Sequence, residues 1–279
     1  MKFNLHTHTD YCDGTKNVKE MIEGAVKYNY DIIGISSHGP LPFESDWTMP
    51  KDRLKDYIKE VNKLKKVYEN RIKVLVGLEL DYIPDFKMEY IDKEIFNELD
   101  YWIGSVHFLG KNKNGDYWTV DYNEKELRKG VEDSFEGDIK KAVETYYKYL
   151  EEMVEIYQPT ILGHLDLIKK NNGNSNFFNE NEKWYRDAVF SLLEKIKKGN
   201  TVIELNTGGK YRGYTLDYYP SNWILKEIKD RNIPITVSRD AHDVKSLNYD
   251  YEESIRLLTM MGFKNISCFD GEKWKELKI

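Results

Sequence analysis

The sequence predicts an α/β fold, with a closed barrel favoured over an open sheet. Short apolar, β-branched runs alternate with longer amphipathic, charge-rich segments along the 279 residues, a pattern typical of parallel strands joined by crossover helices. Seven such repeats fit a barrel forming one domain over residues 1–279, since α/β barrels of this length are often single units. A doubly wound open sheet shares the alternation and stays open as an alternative.

Seven barrel strands are predicted in chain order, each from a short apolar or β-branched run. They cover residues 3–8, 31–38, 72–82, 101–108, 160–167, 200–207 and 233–242. An eighth run, "KNISCFDG", is a candidate to close the sheet. The clearest helix is predicted over 138–157, where apolar residues recur at spacings of three and four.

One connection is unusually long for a compact domain. Residues 109–136 are polar, with Asp and Gly concentrated in the first half. Long loops of this kind are often lids or binding loops. The segment is therefore predicted to lie beside a binding site.

The bulk composition excludes several classes of function. A net charge of −6 and a pI near 5.7 show no basic excess, so nucleic acid is not an expected partner, although a local basic patch can still hold a small anion. Cys12 and Cys268 are too few for a disulfide framework, and the first residues lack the pattern of a secretory signal. No apolar run approaches the ~20 residues that span a bilayer. We expect a cytoplasmic protein with no membrane partner.

Metal-binding residue types gather at the ends of the predicted strands. All six histidines lie there, and three acidic residues join them. In a barrel or a doubly wound sheet, the carboxyl ends of the strands form the ligand site. Imidazoles with a few carboxylates suit Zn²⁺, Mn²⁺ or Fe²⁺, and nine donors are enough for two or three ions. The predicted metal ligands are His6, His8, Asp13, His38, Glu79, His107, His164, Asp240 and His242.

Three of these positions carry separate arguments. Alternate residues of a strand share a face, so His6 and His8 point two imidazoles at one site. Glu79 lies among apolar residues in "VGLELDY", where an unpaired carboxylate is costly to bury, and a cation partner explains it. Asp13 precedes a glycine in "CDGT", and a turn or helix-cap aspartate stays open for this residue.

Seven motifs together resemble the PHP superfamily, specifically its histidinol-phosphate phosphatases, over nearly the whole chain. They are "HTHTDYCDG", "SSHGPLPF", "GLELDY", "GSVHF", "GHLDLIKK", "ELNTGGKYRG" and "SRDAH". The resemblance implies a distorted TIM-like (β/α)7 barrel with a trinuclear Mn, Fe or Zn site at the C-terminal ends of the strands. It also implies hydrolysis of L-histidinol phosphate to L-histidinol and phosphate in histidine biosynthesis.

The resemblance further implies how the ligands are shared among three ions. The implied sets are His6, His8, Glu79 and Asp240; Glu79, His107 and His164; and Asp13, His38 and His242. Two departures from the family pattern stand out: Asp13 takes the place of a histidine, and Lys169 stands where relatives often carry an arginine. Lysine offers a point charge without the bidentate fork of arginine.

The implied reaction is attack on phosphorus by a metal-bound hydroxide, because coordination lowers the pKa of water from about 15.7 toward 7. Asp240 and His242 are the predicted catalytic residues. The candidates for binding phosphate oxygens are Arg212, Lys169, Arg239 and Ser105. The imidazole and amine of the substrate are expected to meet Tyr117, Trp118 and Asp121 of the long connection.

Other functions remain open from the sequence alone. The same metal frame suits a phosphoesterase for another small phosphate or a nucleotide. A non-catalytic metal-binding or regulatory protein would keep the ligands without turnover, and an oxygen-activating or amidohydrolase-like enzyme is a third alternative. Neither the native metal nor the oligomeric state follows from the residues.

Overall fold

The computed structural model describes residues 1–279 and contains eleven strands and nine helices. The strands are β1 Phe3–Asn4, β2 Ile32–Ile35, β3 Lys73–Asp81, β4 Tyr101–Ser105, β5 Phe108–Lys111, β6 Tyr117–Thr119, β7 Ile161–Leu162, β8 Val202–Asn206, β9 Ile235–Ser238, β10 Asn265–Phe269 and β11 Trp274–Lys278. The helices are α1 Val18–Lys27, α2 Leu54–Tyr68, α3 Lys93–Glu98, α4 Glu124–Phe135, α5 Ile139–Tyr157, α6 Lys183–Ile196, α7 Gly208–Tyr211, α8 Asn222–Asp230 and α9 Tyr251–Met260. None of the helices is both long enough and apolar enough to cross a membrane.

Seven parallel strands form a nearly closed barrel in the order β1-β2-β3-β4-β7-β8-β9. The two ends of this sheet meet through a parallel bridge between Thr7 and Ala241. The backbone N–H of His8 donates to the Ala241 carbonyl at 2.8 Å, and the Ala241 N–H donates to the His6 carbonyl at 3.1 Å. The predicted distorted α/β barrel is confirmed, and the open-sheet alternative is excluded.

The barrel strands are shorter than predicted at their carboxyl ends. The first strand stops at Asn4 and the fifth barrel strand at Leu162, so His6, His8 and His164 lie beyond the regular ladder. The side chains of these three histidines gather with acidic residues at the barrel mouth. The regular strands therefore act as supports for a polar rim.

The eighth predicted run does not close the barrel. Strand β10 pairs antiparallel with β11 in a separate hairpin, from Asn265 opposite Lys278 to Phe269 opposite Trp274. Closure is already made by the Thr7–Ala241 bridge, so no edge remains for an eighth strand. The hairpin turn is held by Asp270, whose carboxylate accepts from the backbone N–H groups of Glu272 and Lys273 at 3.0 Å.

Helix α5 agrees with the predicted span of 138–157. It begins at Ile139, and the Asp138 side chain caps it by accepting from the Lys141 backbone N–H at 3.0 Å. The apolar stripe is buried against the barrel, with Val143, Tyr146 and Leu150 fully covered. Burying such a stripe supplies most of the stability of a surface helix.

The long connection 109–136, predicted to be a lid or binding loop, has regular secondary structure. It contains the hairpin of β5 and β6 followed by helix α4. Trp118 is 4% exposed and packs on Gly130 of α4, and its indole N–H donates to Ser134 Oγ at 2.8 Å. The segment is polar only on its outer side, because Leu127 and Val131 of α4 are buried.

We expect Gly130→Ala to destabilise this segment. A Cβ at residue 130 would overlap the Trp118 indole, and overpacking of this kind costs about 1–3 kcal/mol, of which about 1 kcal/mol is offset by the better helix propensity of alanine. Thermal unfolding should show a lower midpoint than the wild type. Gly199→Ala is the matched control, since a Cβ there meets only the Ile196 carbonyl at 3.8 Å. Equal midpoints for both variants would contradict the packing assigned to Trp118.

Candidate metal centre

The nine predicted ligands come together at the carboxyl end of the barrel. Their potential ligand atoms form four overlapping groups, each within 4.8 Å. The groups are His8, Asp13, His38 and His242; His6, Glu79 and His164; His6, His8 and Asp240; and His38, Glu79 and His107. Eight of the nine residues are buried or partly buried, and Asp13 is exposed. The overlaps indicate a multinuclear rather than a mononuclear centre.

Glu79 is the central side chain of this cluster. Its Oε1 lies 2.9 Å from His164 Nε2 and 3.9 Å from His107 Nε2. Its Oε2 lies 3.1 Å from His6 Nε2 and 3.0 Å from His38 Nδ1. A carboxylate whose two oxygens face different imidazoles is placed to bridge two ions.

The grouping differs in part from the three sets implied by the resemblance. His8 joins Asp13, His38 and His242 as well as His6 and Asp240. His107 groups with His38 and Glu79, whereas His164 groups with His6 and Glu79. The assignment of each donor to one ion therefore stays a prediction.

Two further carboxylates orient two of the histidines, His6 and His107. Neither carboxylate was predicted from the sequence as a site residue. Glu204 Oε2 lies 3.0 Å from His6 Nδ1, and Asp81 Oδ1 lies 2.9 Å from His107 Nδ1. Both acids are buried near strand ends, in "VIELN" and "GLELDY". The signal that identified Glu79, an acid among apolar strand residues, applies to both. A carboxylate on the remote ring nitrogen fixes the tautomer and leaves Nε2 free for a metal.

The electrostatics of the cluster favour ionised carboxylates. Burial opposes the charge of Glu79, but His38 and His6 outweigh it and hold the pKa of Glu79 well below its ordinary value. Burial likewise opposes the charge of Asp240, but Arg212 and His6 keep the pKa of Asp240 well below its ordinary value. Burial, helped by the neighbouring His242 and His38, lowers the pKa of His8 to about 3. At His8 this gives the neutral imidazole that metal binding requires. Burial is outweighed by Glu204 at His6 and by Asp81 at His107, so the pKa of each of these two imidazoles is raised.

The residues fit divalent transition ions on a further observation. His8 Nε2, His38 Nδ1 and His164 Nδ1 are buried ring nitrogens without a hydrogen-bond partner. His8 Nε2 is 3.2 Å from Asp240 Oδ1, and His38 Nδ1 is 3.0 Å from Glu79 Oε2, distances at which the directions do not suit a hydrogen bond. Imidazole nitrogens and carboxylate oxygens that lie this close without a hydrogen bond are expected where a metal ion would lie between them. This mixed set of nitrogen and oxygen ligands suits Zn, Mn or Fe.

A cavity of about 520 Å³ opens directly above the cluster. Its wall includes seven of the nine predicted ligands, together with Arg212. The Arg212 guanidinium donates through Nη2 to Asp240 Oδ2 at 2.8 Å and through Nη1 to the Asp240 carbonyl at 2.9 Å. His242 Nδ1 lies 3.1 Å from the same Nη1. The structure thus brings Arg212, Asp240 and His242 together at the cavity wall.

The other three phosphate candidates do not line the cavity. The Lys169 ammonium is paired with Asp166 at 2.8 Å and donates to the Tyr218 carbonyl at 3.0 Å. Arg239 is fully buried, with its guanidinium 4.5 Å from the Tyr251 ring centroid. Ser105 Oγ donates to Glu79 Oε1 at 2.6 Å. The two cationic groups and the hydroxyl already have partners within the protein, so we do not assign phosphate binding to these three residues.

The predicted contacts of the long connection are also only partly at the cavity. Asp121 lines it, paired with Lys170 at 3.0 Å. Trp118 is packed under α4, and the Tyr117 hydroxyl donates to Asp85 at 2.5 Å. Four further residues complete this side of the wall and were not predicted from the sequence; they are Asp46, Trp47, Tyr122 and Lys170.

Comparison with known proteins shows the family of this chain. The PHP domain family model matches residues 4–208. The histidinol-phosphatase of Bacillus subtilis is 30% identical over 263 residues, covering 88% of this chain and 96% of that protein. The histidinol-phosphatase of Lactococcus lactis is 25% identical over 284 residues, covering 98% and 96%.

A solved structure shares the fold over the same extent. It is the crystal structure of Lactococcus lactis histidinol phosphate phosphatase complexed with Zn, L-histidinol and phosphate. It matches with a TM-score of 0.71 and 21% identity, covering 98% of each chain. The chain therefore belongs to the histidinol-phosphatase family of PHP domain proteins.

Proposed function

We propose that this chain hydrolyses L-histidinol phosphate to L-histidinol and phosphate, as a step of histidine biosynthesis, with two or three divalent Mn, Fe or Zn ions. The observation that carries the proposal is the cluster of six imidazoles and three carboxylates at the floor of a cavity that also holds Arg212. Family membership supports the substrate. Residues 1–279 acting as one domain, and a cytoplasmic location, belong to the same proposal.

The nine clustered donors would hold the ions, with Glu79 shared between two of them. When bound, such ions would supply Lewis acidity toward the phosphoryl oxygens and toward water. Glu204 and Asp81 would keep the rings of His6 and His107 in fixed orientations through their Nδ1 atoms. The protein's part is therefore a preformed frame that needs little rearrangement when substrate arrives.

Arg212 is proposed to bind the phosphoryl group. Its side chain is 25% exposed at the cavity, while Asp240 holds the guanidinium on one side. The guanidinium has five N–H donors, and only part of them are used by Asp240 and His242. The remaining donors match a phosphate, which arginine binds with charge-assisted hydrogen bonds.

Asp240 and His242 are proposed to handle the proton of the reaction. Asp240 follows strand β9 with φ +47°, a left-handed turn that directs its carboxylate to His8 at 3.2 Å. As a carboxylate, it can accept a proton from water and return it to the leaving oxygen. His242 Nε2 lies 3.1 Å from Asp13 Oδ2, which keeps this imidazole oriented beside Asp240.

An acidic and aromatic wall is proposed to bind the cationic end of the substrate. Asp46 and Asp121 line the cavity with Trp47 and Tyr122. The Asp46 carboxylate makes no ion pair within the protein, whereas Asp121 is paired with Lys170. Carboxylates and aromatic faces both attract ammonium and imidazolium groups.

A substrate panel on metal-stripped and reloaded protein tests the proposal. We expect phosphate release from L-histidinol phosphate to disappear after chelation and to return with Mn²⁺, Fe²⁺ or Zn²⁺. An aryl phosphate and a nucleotide should be hydrolysed far more slowly, because neither carries the amine that the acidic wall recognises. Preference for another phosphate would contradict the substrate assignment, and metal binding without any hydrolysis would favour a non-catalytic role.

A further inference from the structure

Tyr219 carries a buried hydroxyl that has no hydrogen-bond partner. The residue is 1% exposed and lines the cavity, and its Oη is among the buried polar atoms without a partner. Apart from histidine nitrogens, which the metal centre explains, it is the only such atom on a cavity-lining residue. Burying a hydroxyl without a partner costs stability, so an orphan of this kind calls for a reason.

The backbone around Tyr219 fixes the position of the ring. Tyr219 exchanges two backbone hydrogen bonds with Asn206, the last residue of β8, at 2.7 and 3.1 Å. The next residues are tied down by Ser221, whose N–H donates to Asp166 at 2.8 Å. The ring lies against Gly209, where a Cβ would overlap it. The side chain therefore cannot swing away to find a partner elsewhere.

The ring lies on the side of the cavity next to the metal centre. Its centroid is 6.4 Å from that of His164, a predicted ligand. A Cβ at Gly208 would meet Arg212 Nη2 at 2.9 Å, and a Cβ at Gly209 would meet the Tyr219 ring, so Arg212 and Tyr219 are neighbours on the cavity wall. This end of the cavity is suited to an anion, whereas Asp46, which makes no ion pair, marks the end suited to a cation.

A phenol keeps its proton at neutral pH and can donate it to an acceptor. The ammonium group of an amino alcohol has no acceptor atoms, but phosphoryl oxygens are strong acceptors. We propose that the Tyr219 hydroxyl donates a hydrogen bond to a phosphoryl oxygen of the substrate, which makes Tyr219 a further phosphate-binding residue beside Arg212. The inference rests on the proposed function, because it needs a phosphomonoester in the cavity.

Tyr219→Phe tests the inference in the Zn-loaded protein. Removing a hydrogen bond to a charged group should lower kcat/KM for L-histidinol phosphate by about 10- to 100-fold. The affinity for inorganic phosphate, measured by isothermal titration calorimetry, should fall by a similar factor. The thermal midpoint of the substrate-free protein should be unchanged or higher, because the variant loses a buried polar atom that had no partner.

Tyr214→Phe is the matched control. Tyr214 also lines the cavity, but it is 50% exposed, and its hydroxyl needs no partner in the protein. This variant should keep the wild-type phosphate affinity, kcat/KM and midpoint. A Tyr214→Phe effect equal to that of Tyr219→Phe would overturn the specific role of Tyr219.

The outcomes separate this inference from the proposed function. If Tyr219→Phe binds phosphate as tightly as the wild type, the inference fails, whether or not histidinol phosphate is hydrolysed. A lowered thermal midpoint of Tyr219→Phe with unchanged phosphate affinity would show that the Tyr219 hydroxyl has a purely structural role, and this result would also overturn the inference. If the wild type hydrolyses no histidinol phosphate but binds phosphate in a Tyr219-dependent way, the inference stands and the substrate assignment falls.

Discussion

Replacing Glu79 with glutamine is expected to lower the rate of phosphate release by about 1,000-fold or more, through loss of bound metal. The amide has nearly the same shape as the carboxylate but removes the charge that His6, His38 and His164 face at 2.9 to 3.1 Å. An amide also offers two N–H donors to nitrogens that are needed as metal ligands. We therefore expect bound metal and activity to be lost while the fold stays nearly unchanged.

Metal analysis by plasma mass spectrometry, beside the activity assay, checks this result. The variant should retain at least one ion fewer than the wild type after the same loading. Glu152→Gln serves as the control, because Glu152 accepts from the Tyr82 hydroxyl as Glu79 does from the Ser105 hydroxyl, but it lies away from the cluster. Full metal content in Glu79→Gln would show that Glu79 is not a bridging ligand.

Replacing Arg212 with alanine should have the second-largest effect, a loss of about 100-fold or more in kcat/KM. The guanidinium is the only arginine side chain on the cavity wall, and it also steadies Asp240 through Nη2. Metal content should stay close to wild type, because Arg212 contributes no ligand atom. Loss of activity with retained metal is the signature that separates Arg212 from Glu79.

Arg212→Lys refines this prediction, since lysine keeps the charge but lacks the planar fork. It should recover part of the activity lost in Arg212→Ala, mainly as a higher KM with a measurable kcat. Arg256→Ala is the control, because that side chain is 64% exposed on α9. Wild-type kinetics in Arg212→Ala would remove this residue from the proposed phosphate site.

The barrel and the gathering of the nine predicted ligands at one end of it could be predicted because both follow from short-range rules. Alternation of strands and helices indicates the fold, and the carboxyl ends of parallel strands always meet at one edge. A histidine near a strand end, such as His6 or His164, therefore reaches the site wherever the neighbouring helices pack. The ligand set depends on little else.

The phosphate candidates were harder to predict because side-chain direction depends on the local turn. Arg239 and Asp240 are adjacent and follow the end of β9, and Asp240 has a left-handed backbone with φ +47°. With Asp240 directed at the centre, Arg239 is directed away, toward Tyr251. Lys169 ends a 3₁₀ turn and is bound inside the protein, whereas Lys170, the next residue, reaches the cavity wall.

The cavity wall contributed by loops was beyond prediction for a different reason. Asp46 and Trp47 lie between β2 and α2 in a segment without helical or strand periodicity. Their approach to Asp121 depends on how two distant loops fold over the barrel mouth. The apolar inner side of 109–136 was likewise hidden, because its polar residues dominate the composition.

The closure of the barrel between Thr7 and Ala241 has a consequence for how the protein matures. The first and last barrel strands are also tied by Asn4, which accepts from the Arg239 backbone N–H across 235 positions of chain. During synthesis His6 and His8 emerge early, but Asp240 and His242 arrive only near the end. Contacts between such distant segments form late and slowly. A nascent chain therefore lacks Asp240 and His242, and the full set of nine predicted ligands comes together only after the last barrel strand has been made.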